Sequence, residues 1–238
     1  MKEAQLKTLY LRRQLSMMQI ADELQTTHAT VLYWLKKFEI PRRSWSESTY
    51  VKMNPDGDPF KLPSAWTERR RTLLAAGLLL YWAEGSKKNK TTAAIGNLDG
   101  RLLQVFAAFL REVCHVNERR LSVYVRVYKT FSRLAARRYW GRLLGIPSSR
   151  IFVYPHTDKR SKTHQQWSRH GLATLEFHNT KFKRWLDEAI EAYIKFLLLG
   201  SRSSDIPKAL WHRMGGLAGD GPVDGLFSIS IDGSAAEF

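Results

Sequence analysis

The stretch that decides the fold is LLAAGLLLYWAEGS, residues 73–86, an apolar run that ends in an acid followed by glycine. Apolar residues recur along it at helical spacing, and the pattern predicts a helix over residues 68–84. A carboxylate at the C-terminal end of a helix opposes the helix dipole. Glu84 therefore calls for a compensating cation, either a bound metal ion or the three lysines of residues 87–90. The alternative is a core helix with an accidental terminal acid.

Short strands alternate with helices on the C-terminal side of this stretch. In the clearest strand, four aliphatic side chains alternate with four polar or aromatic ones: Leu121, Val123, Val125 and Val127 against Ser122, Tyr124, Arg126 and Tyr128. The period of two predicts that the first set faces a core and the second faces outward. Periodicity also predicts helices over residues 100–114, 132–144 and 180–198, and strands over residues 91–97, 151–155 and 172–178.

The N-terminal region carries two helix start signals. Ser16 is followed three residues later by Gln19, the spacing of a capping box, and Thr27 precedes a further helical stretch. The pattern predicts helices over residues 3–14, 16–24 and 28–38. This is the spacing of a helix-turn-helix, whose second helix lies in the major groove of DNA. The residues expected to contact DNA in the groove-facing turn are His28, Thr30 and Tyr33.

The charge of the chain is strongly positive. The 238 residues include 38 Lys and Arg against 22 Asp and Glu, a formal net charge of +16. Such a surface field favours a polyanion as partner. The basic residues are also clustered, since residues 126–142 contain six Lys or Arg and no acid. The single cysteine, Cys114, rules out an internal disulfide and a cysteine zinc cluster, and we expect a buried structural thiol.

Composition divides the chain into four segments. These are a helix-turn-helix domain (residues 1–45), a proline-rich linker (46–67), a mixed domain (68–199) and a glycine- and serine-rich tail expected to be poorly ordered (200–238). Arg42 and Arg43 stand just before the linker. They either follow the phosphate backbone of DNA or are simply solvated, and we favour the DNA contact.

The helix that ends at Glu84 resembles the signature helix of the LAGLIDADG homing endonucleases, in the form found in single-motif proteins. The resemblance rests on YWAEGSKK (81–88) and extends through IGNLD (95–99), FLREV (109–113) and residues 140–147 to the last strand and helix, and so covers about residues 68–195. Residues 31–44, VLYWLKKFEIPRRS, are similar to the helix-turn-helix that often precedes such domains. The implied fold is α+β: a helix-turn-helix bundle followed by a LAGLIDADG-like mixed αβ domain with an antiparallel sheet.

The resemblance also implies a site and a partner. In that family two signature helices pack side by side, so a chain with one copy forms a homodimer, here through helix 68–84. Glu84 would be the catalytic metal ligand, with Mg²⁺ as the cofactor. Double-stranded DNA would lie over the outward side of the sheet, against Tyr124, Arg126, Tyr128 and the nearby basic residues Lys87, Lys88, Lys90, Lys159, Arg160 and Lys162.

Two functions are consistent with these expectations. The first is a magnesium-dependent, site-specific homing endonuclease that hydrolyses phosphodiesters in duplex DNA. The second is a non-catalytic transcription regulator that keeps the fold, and two departures from the family pattern bear on it. Leu79 stands where the family keeps a small residue, and the hairpin after the motif is compressed into residues 86–97. A transposase or recombinase would need an acidic triad or a nucleophilic Ser or Tyr in a known setting, and we identify neither.

The longest apolar stretch, residues 73–83, is shorter than the ~20 residues that a membrane span needs. We therefore expect a cytoplasmic, nucleoid-associated protein with neither a membrane nor a small-molecule substrate as partner.

Overall fold

The chain divides into two units, Met1–Pro59 and Phe60–Phe238. A computed structural model describes residues 1–156 and 169–199. The expectations for the tail, residues 200–238, and for Lys159, Arg160 and Lys162 lie outside the described residues. No helix in the described ranges is long and apolar enough to cross a membrane.

The first unit begins with three helices close to the predicted bounds. They are α1 (Glu3–Lys7), which continues as π-helical turns over Thr8–Arg12, α2 (Met17–Glu23) and α3 (His28–Lys37). The capping box is confirmed, because the Gln19 amide donates to Ser16 Oγ at 3.1 Å and the Ser16 amide donates to Gln19 Oε1 at 2.9 Å. Apolar side chains of the three helices and the segment after α3 form one core: Leu6, Leu9, Tyr10, Ile20, Ala21, Val31, Leu35 and Ile40.

The predicted linker, residues 46–67, contains a helix that the sequence reasoning missed. Helix α4 (Trp45–Met53) starts at a second capping box, in which Ser44 and Glu47 satisfy each other's backbone amides. None of its residues is buried, so the sequence has no apolar stripe that would predict this helix. Further along, Phe60 and Leu62 are buried in the core of the second unit. The prediction of an irregular linker over this whole range is therefore wrong.

The second unit has four helices and four strands among its described residues. In chain order they are α5 (Glu68–Glu84), β1 (Thr92–Asn97), α6 (Gly100–Ala108, continuing as π-helical turns over Phe109–Val113), β2 (Leu121–Val127), α7 (Arg133–Leu144), β3 (Ile151–Pro155), β4 (Leu172–His178) and α8 (Thr180–Leu199). The predicted bounds agree to within about two residues, and the α+β class is confirmed.

The four strands form one mixed sheet in the order β1-β4-β2-β3. Strand β4 is antiparallel to β1 and β2, whereas β3 pairs with β2 in parallel, with Val123 opposite Ile151. The expectation of an antiparallel sheet is therefore wrong for this pair. The cause is helix α7, because a crossover helix returns the chain to the end of the sheet where the previous strand began.

One face of this sheet carries the core. The alternation predicted for β2 is confirmed, since Leu121, Val123, Val125 and Val127 are all buried and the first three belong to the core cluster of this unit. Cys114 is also buried, as expected, and burial raises the pKa of its thiol. Helices α5 and α6 approach closely at Gly77, where a Cβ would lie 2.2 Å from the ring of Phe109.

Candidate nucleic-acid interface

The foot of helix α5 is fixed against the edge of the sheet. The Ser86 amide donates to the Ala94 carbonyl at 2.9 Å, and the Tyr81 hydroxyl donates to the Ser86 carbonyl at 2.8 Å. A Cβ on Gly85 would lie 2.4 Å from the Tyr81 carbonyl oxygen, so only glycine fits at the turn. Glu84, the last helical residue, is exposed. Its carboxylate is thus presented to solvent from a rigid backbone position.

An ion pair between the buried Lys183 and the half-exposed Asp187 lies beside the same corner. The Lys183 ammonium of α8 pairs with Asp187 and lies 5.5 Å from the centroid of the Tyr81 ring. Burial, together with the Asp187 carboxylate, raises the pKa of Tyr81, which keeps the hydroxyl protonated and able to donate. Sequence reasoning did not identify Lys183. A lysine is rarely buried unless it is paired, and the sequence alone does not show which residue pairs with it.

The compensation expected for the C-terminal end of α5 comes from Lys87. Its ammonium donates to the carbonyl oxygen of Trp82 in the last turn of the helix. The loop that follows is ordered by Asn89, whose Oδ1 accepts from the Thr91 amide at 2.9 Å. Lys88 and Lys90 are exposed on this loop. Lys87 is exposed as well, so all three lysines reach solvent, and only Lys87 contacts the end of the helix.

Glu84 is the one carboxylate that we predicted as a metal ligand in each chain. Within residues 1–156 and 169–199, no three His, Cys, Asp or Glu side chains are grouped to hold a metal ion. Magnesium is bound in proteins by one or two carboxylates completed by phosphate oxygens and water. The described residues of one chain therefore do not form a complete metal site around Glu84.

The sheet face opposite the core carries three neighbouring aromatic rings, which we call the aromatic platform: Tyr124 of β2 with Phe152 and Tyr154 of β3. The Tyr124 ring centroid lies 5.2 Å from that of Phe152 and 6.3 Å from that of Tyr154, with interplanar angles of 23° and 10°. Phe152 is 38% exposed and Tyr154 50% exposed. Sequence reasoning identified Tyr124 but missed the other two, although both alternate with the apolar residues of β3.

Two charged rows flank the platform on this face. Arg126 is exposed and stands opposite Tyr154 in register, while Glu176 of β4 stands opposite Ser122. Burial raises the pKa of Glu176, and His178 lies 3.4 Å from its carboxylate. The face therefore carries a positive charge at the Arg126 end and an acidic residue at the Glu176 end. Alternation within β2 alone could not indicate this, because Glu176 belongs to β4.

Tyr128 lies just beyond the end of β2 at the margin of this face. Its ring packs edge-on against His156, with centroids 4.9 Å apart, and the His156 amide donates to the Val127 carbonyl at 2.7 Å. Tyr128 is half-buried there.

The outer side of helix α5 leaves large apolar groups in solvent. Leu79 is 38% exposed and Trp82 is 50% exposed, whereas Leu78 and Tyr81 on the inner side are buried. Ala83 is also exposed and lies one turn beyond Leu79. A contiguous apolar stripe of this kind on a helix is typical of a surface that packs against another helix.

In the first unit, the three predicted DNA-contacting residues of α3 differ in their surroundings. His28 and Tyr33 are exposed. Thr30 is half-buried, its amide donates to Thr27 Oγ1 at 3.2 Å, and the two hydroxyls lie 3.0 Å apart. Thr30 therefore belongs to the helix cap as much as to any binding surface, whereas His28 and Tyr33 project from it.

The two arginines after α3 also differ. Arg42 is exposed. The Arg43 guanidinium donates to the Leu15 carbonyl at 3.0 Å and to the Tyr10 carbonyl, and it lies 4.1 Å from the Tyr10 ring centroid. These contacts fasten the segment after α3 to the first helix. We therefore assign Arg43 a packing role instead of the DNA contact expected from the sequence.

Comparison with known proteins gives no match: no family model, curated protein or solved structure corresponds to this chain. The class that the fold itself defines is an α+β protein with an N-terminal helical unit and a sheet covered by helices on one face.

Proposed function

We propose that the protein is a sequence-specific DNA-binding protein whose second unit acts as a LAGLIDADG-type dimer on duplex DNA. The observation that carries the proposal is the sheet face away from the core, where strand β2 presents the exposed Arg126 and the half-buried Tyr124 in a chain of net charge +16. Arginine and tyrosine side chains contact both phosphates and bases in DNA complexes. A binding surface on the strands is also held more rigidly than one on loops.

In this proposal helix α3 of the first unit reads the base sequence. Support comes from the confirmed capping of α2 and α3 and from the exposure of His28 in the first turn of α3 and of Tyr33 in its second turn. Residues in this position of a helix-turn-helix reach base edges in the major groove.

A selection from a randomised duplex library tests this assignment. The wild type is expected to enrich one sequence motif. The double variant His28→Ala/Tyr33→Ala should lose that enrichment yet keep most non-specific binding, because base contacts specify whereas phosphate contacts position. Leu11→Ala, at an exposed position of the first helical segment, is the control and should enrich the wild-type motif. Enrichment of the same motif by the double variant would show that α3 is not the reader.

The dimer is proposed to form through the exposed side of α5, where Leu79 and Trp82 would be covered by the same helix of a second copy. A residue smaller than Leu79, four positions before Ala83, would let the two helices approach more closely. We therefore propose a larger distance between the helix axes than in a glycine-lined contact. Self-association through one patch gives a closed two-fold dimer.

Leu79→Glu is expected to convert the dimer to a monomer. Two carboxylates would face each other across the two-fold axis, and like charges at an interface cost several kcal/mol, which weakens association by more than about 100-fold. Sedimentation velocity at matched concentrations measures the change. Leu134→Glu, on α7 at a position 55% exposed, is the control and should leave the dimer intact. A Leu79→Glu protein that sediments as a dimer would place the interface elsewhere.

The proposed activity of the dimer is phosphodiester cleavage, with Glu84 from each copy and Mg²⁺ as the cofactor. Bound there, the metal would activate water for attack and stabilise the leaving oxygen. The exposed, rigidly held position of Glu84 supports this role, because a metal ligand has to keep its geometry when DNA arrives.

A non-catalytic regulator is the alternative function, and one observation favours it. Each chain contributes a single carboxylate to the predicted metal site. The Lys87 ammonium already compensates the negative C-terminal end of the α5 dipole. A protein that binds and dimerises without cleaving would need neither more ligands nor a metal. The two functions differ in the effect expected from substitution of Glu84.

A further inference from the structure

Two of the three rings of the aromatic platform are exposed to solvent. Its rings are nearly parallel, and Phe152 and Tyr154 leave 38% and 50% of their surface in solvent. Helices α5–α8 pack against the opposite face, and in the described part of the chain no helix covers this one. Exposed, clustered aromatic residues mark binding surfaces in soluble proteins.

The chemistry of parallel aromatic rings selects flat, aromatic ligands. Nucleobases stack on such side chains in proteins that bind single strands, and the contact tolerates any sequence because every base has a π-face. In a fully paired duplex each base face is already covered by its neighbours. A base can therefore stack on the platform only after it has left the duplex stack.

The charges beside the platform fit a nucleic-acid strand. Arg126 lies next to Tyr154 on one side, and the exposed Lys129 follows β2 at the same end. Glu176 lies on the opposite side, in the row that contains Ser122. Arg126 would attract the phosphates of a strand, and Glu176 would repel them. A strand whose phosphate binds Arg126 would therefore place its bases over the rings.

We propose that the aromatic platform binds unpaired nucleobases, supplied either by a single strand or by a duplex opened at the bound site. This inference rests on the proposed DNA binding and adds to it a second mode, stacking, which duplex recognition by α3 does not require.

Three labelled probes test it by fluorescence anisotropy: a single strand, a duplex with a central unpaired bulge, and the same duplex fully paired. Phe152→Leu and Tyr154→Leu should each weaken binding of the single strand and the bulged duplex by about 10-fold, and the double variant by about 100-fold. Affinity for the paired duplex should not change. Tyr154→Phe keeps the ring and should bind like the wild type, as should Trp45→Leu, which removes an exposed aromatic residue from the other unit.

The outcomes separate this inference from the proposed function. Wild type that binds none of the probes would remove the DNA-binding proposal itself. Wild type that binds the paired duplex, with a double variant unchanged on both unpaired probes, would overturn the platform alone. Equal weakening on all three probes, or a change in oligomeric state of the double variant by sedimentation, would also overturn it, because the face would then serve duplex binding or protein contact. If only the bulged duplex responds, the bases come from an opened duplex; if the single strand responds as well, free strands are bound too.

Discussion

Glu84→Gln is expected to abolish magnesium-dependent cleavage of duplex DNA while leaving dimerisation and duplex affinity intact. The amide keeps the shape of the side chain and removes the charge that a metal ligand needs. Loss of a group that merely supports a metal ligand costs about 10–100-fold, so loss of the ligand itself should cost about 100-fold or more. The measurement is plasmid cleavage with and without magnesium, on a library that contains the selected motif.

The control for this substitution is Glu68→Gln, which removes a carboxylate from the other end of helix α5 and should not affect cleavage. A regulator would give a different pattern, with no cleavage by the wild type or either variant and similar DNA affinity in all three. Equal cleavage by wild type and Glu84→Gln would refute the catalytic assignment, whatever the state of the DNA-binding proposal.

Duplex affinity is expected to fall by about 10⁴-fold between 50 and 200 mM salt. If the dimer neutralises about 8 phosphates, released counterions give a slope near −7 in a plot of log affinity against log salt, at ~0.9 per contact. The net charge of +16 and the exposed Lys88, Lys90 and Arg126 motivate the estimate. Anisotropy titrations over a range of potassium chloride concentrations measure the slope.

Removal of one phosphate contact should lower the magnitude of this slope by about 1. Because both copies of the dimer carry the substitution, Lys88→Ala is expected to lower the magnitude of the slope by about 2. Arg43→Ala should leave the slope unchanged, because the Arg43 guanidinium is held by Leu15 and Tyr10. Arg43→Ala should instead lower the stability of the first unit. A wild-type slope shallower than about −2 would contradict the electrostatic basis of the proposal.

Local patterns predicted most of the secondary structure of this chain. The apolar run at residues 73–83, the alternation through β2 and the cap at Ser16 each depend on side chains within a few residues of one another. Helix α4 shows where this reasoning fails: its capping box at Ser44 was present in the sequence, but the helix has no apolar stripe because it buries none of its residues.

The candidate site was predicted only in part, for a related reason. Alternation along β2 predicted that Tyr124 and Arg126 face outward, and helical periodicity placed Glu84 at a helix end. The resemblance to the LAGLIDADG proteins implied their roles. Phe152 and Tyr154 alternate in the same way, but nothing in β3 says which strand lies beside it. Lys88 and Arg43 look equivalent in the sequence, yet one is exposed and the other packs on Tyr10.

Apart from helix α4, the sequence by itself determined the order and bounds of the helices and strands, the inward side of β2 and the position of Glu84 at a helix end. Only the tertiary structure decided that β3 runs parallel to β2, that three aromatic rings meet on the sheet face away from the core, and that the buried Lys183 lies beside the Tyr81 ring. The physical reason is range. Helix caps and side-chain periodicity depend on neighbours two to four residues away, whereas strand pairing and burial depend on contacts between segments far apart in the chain.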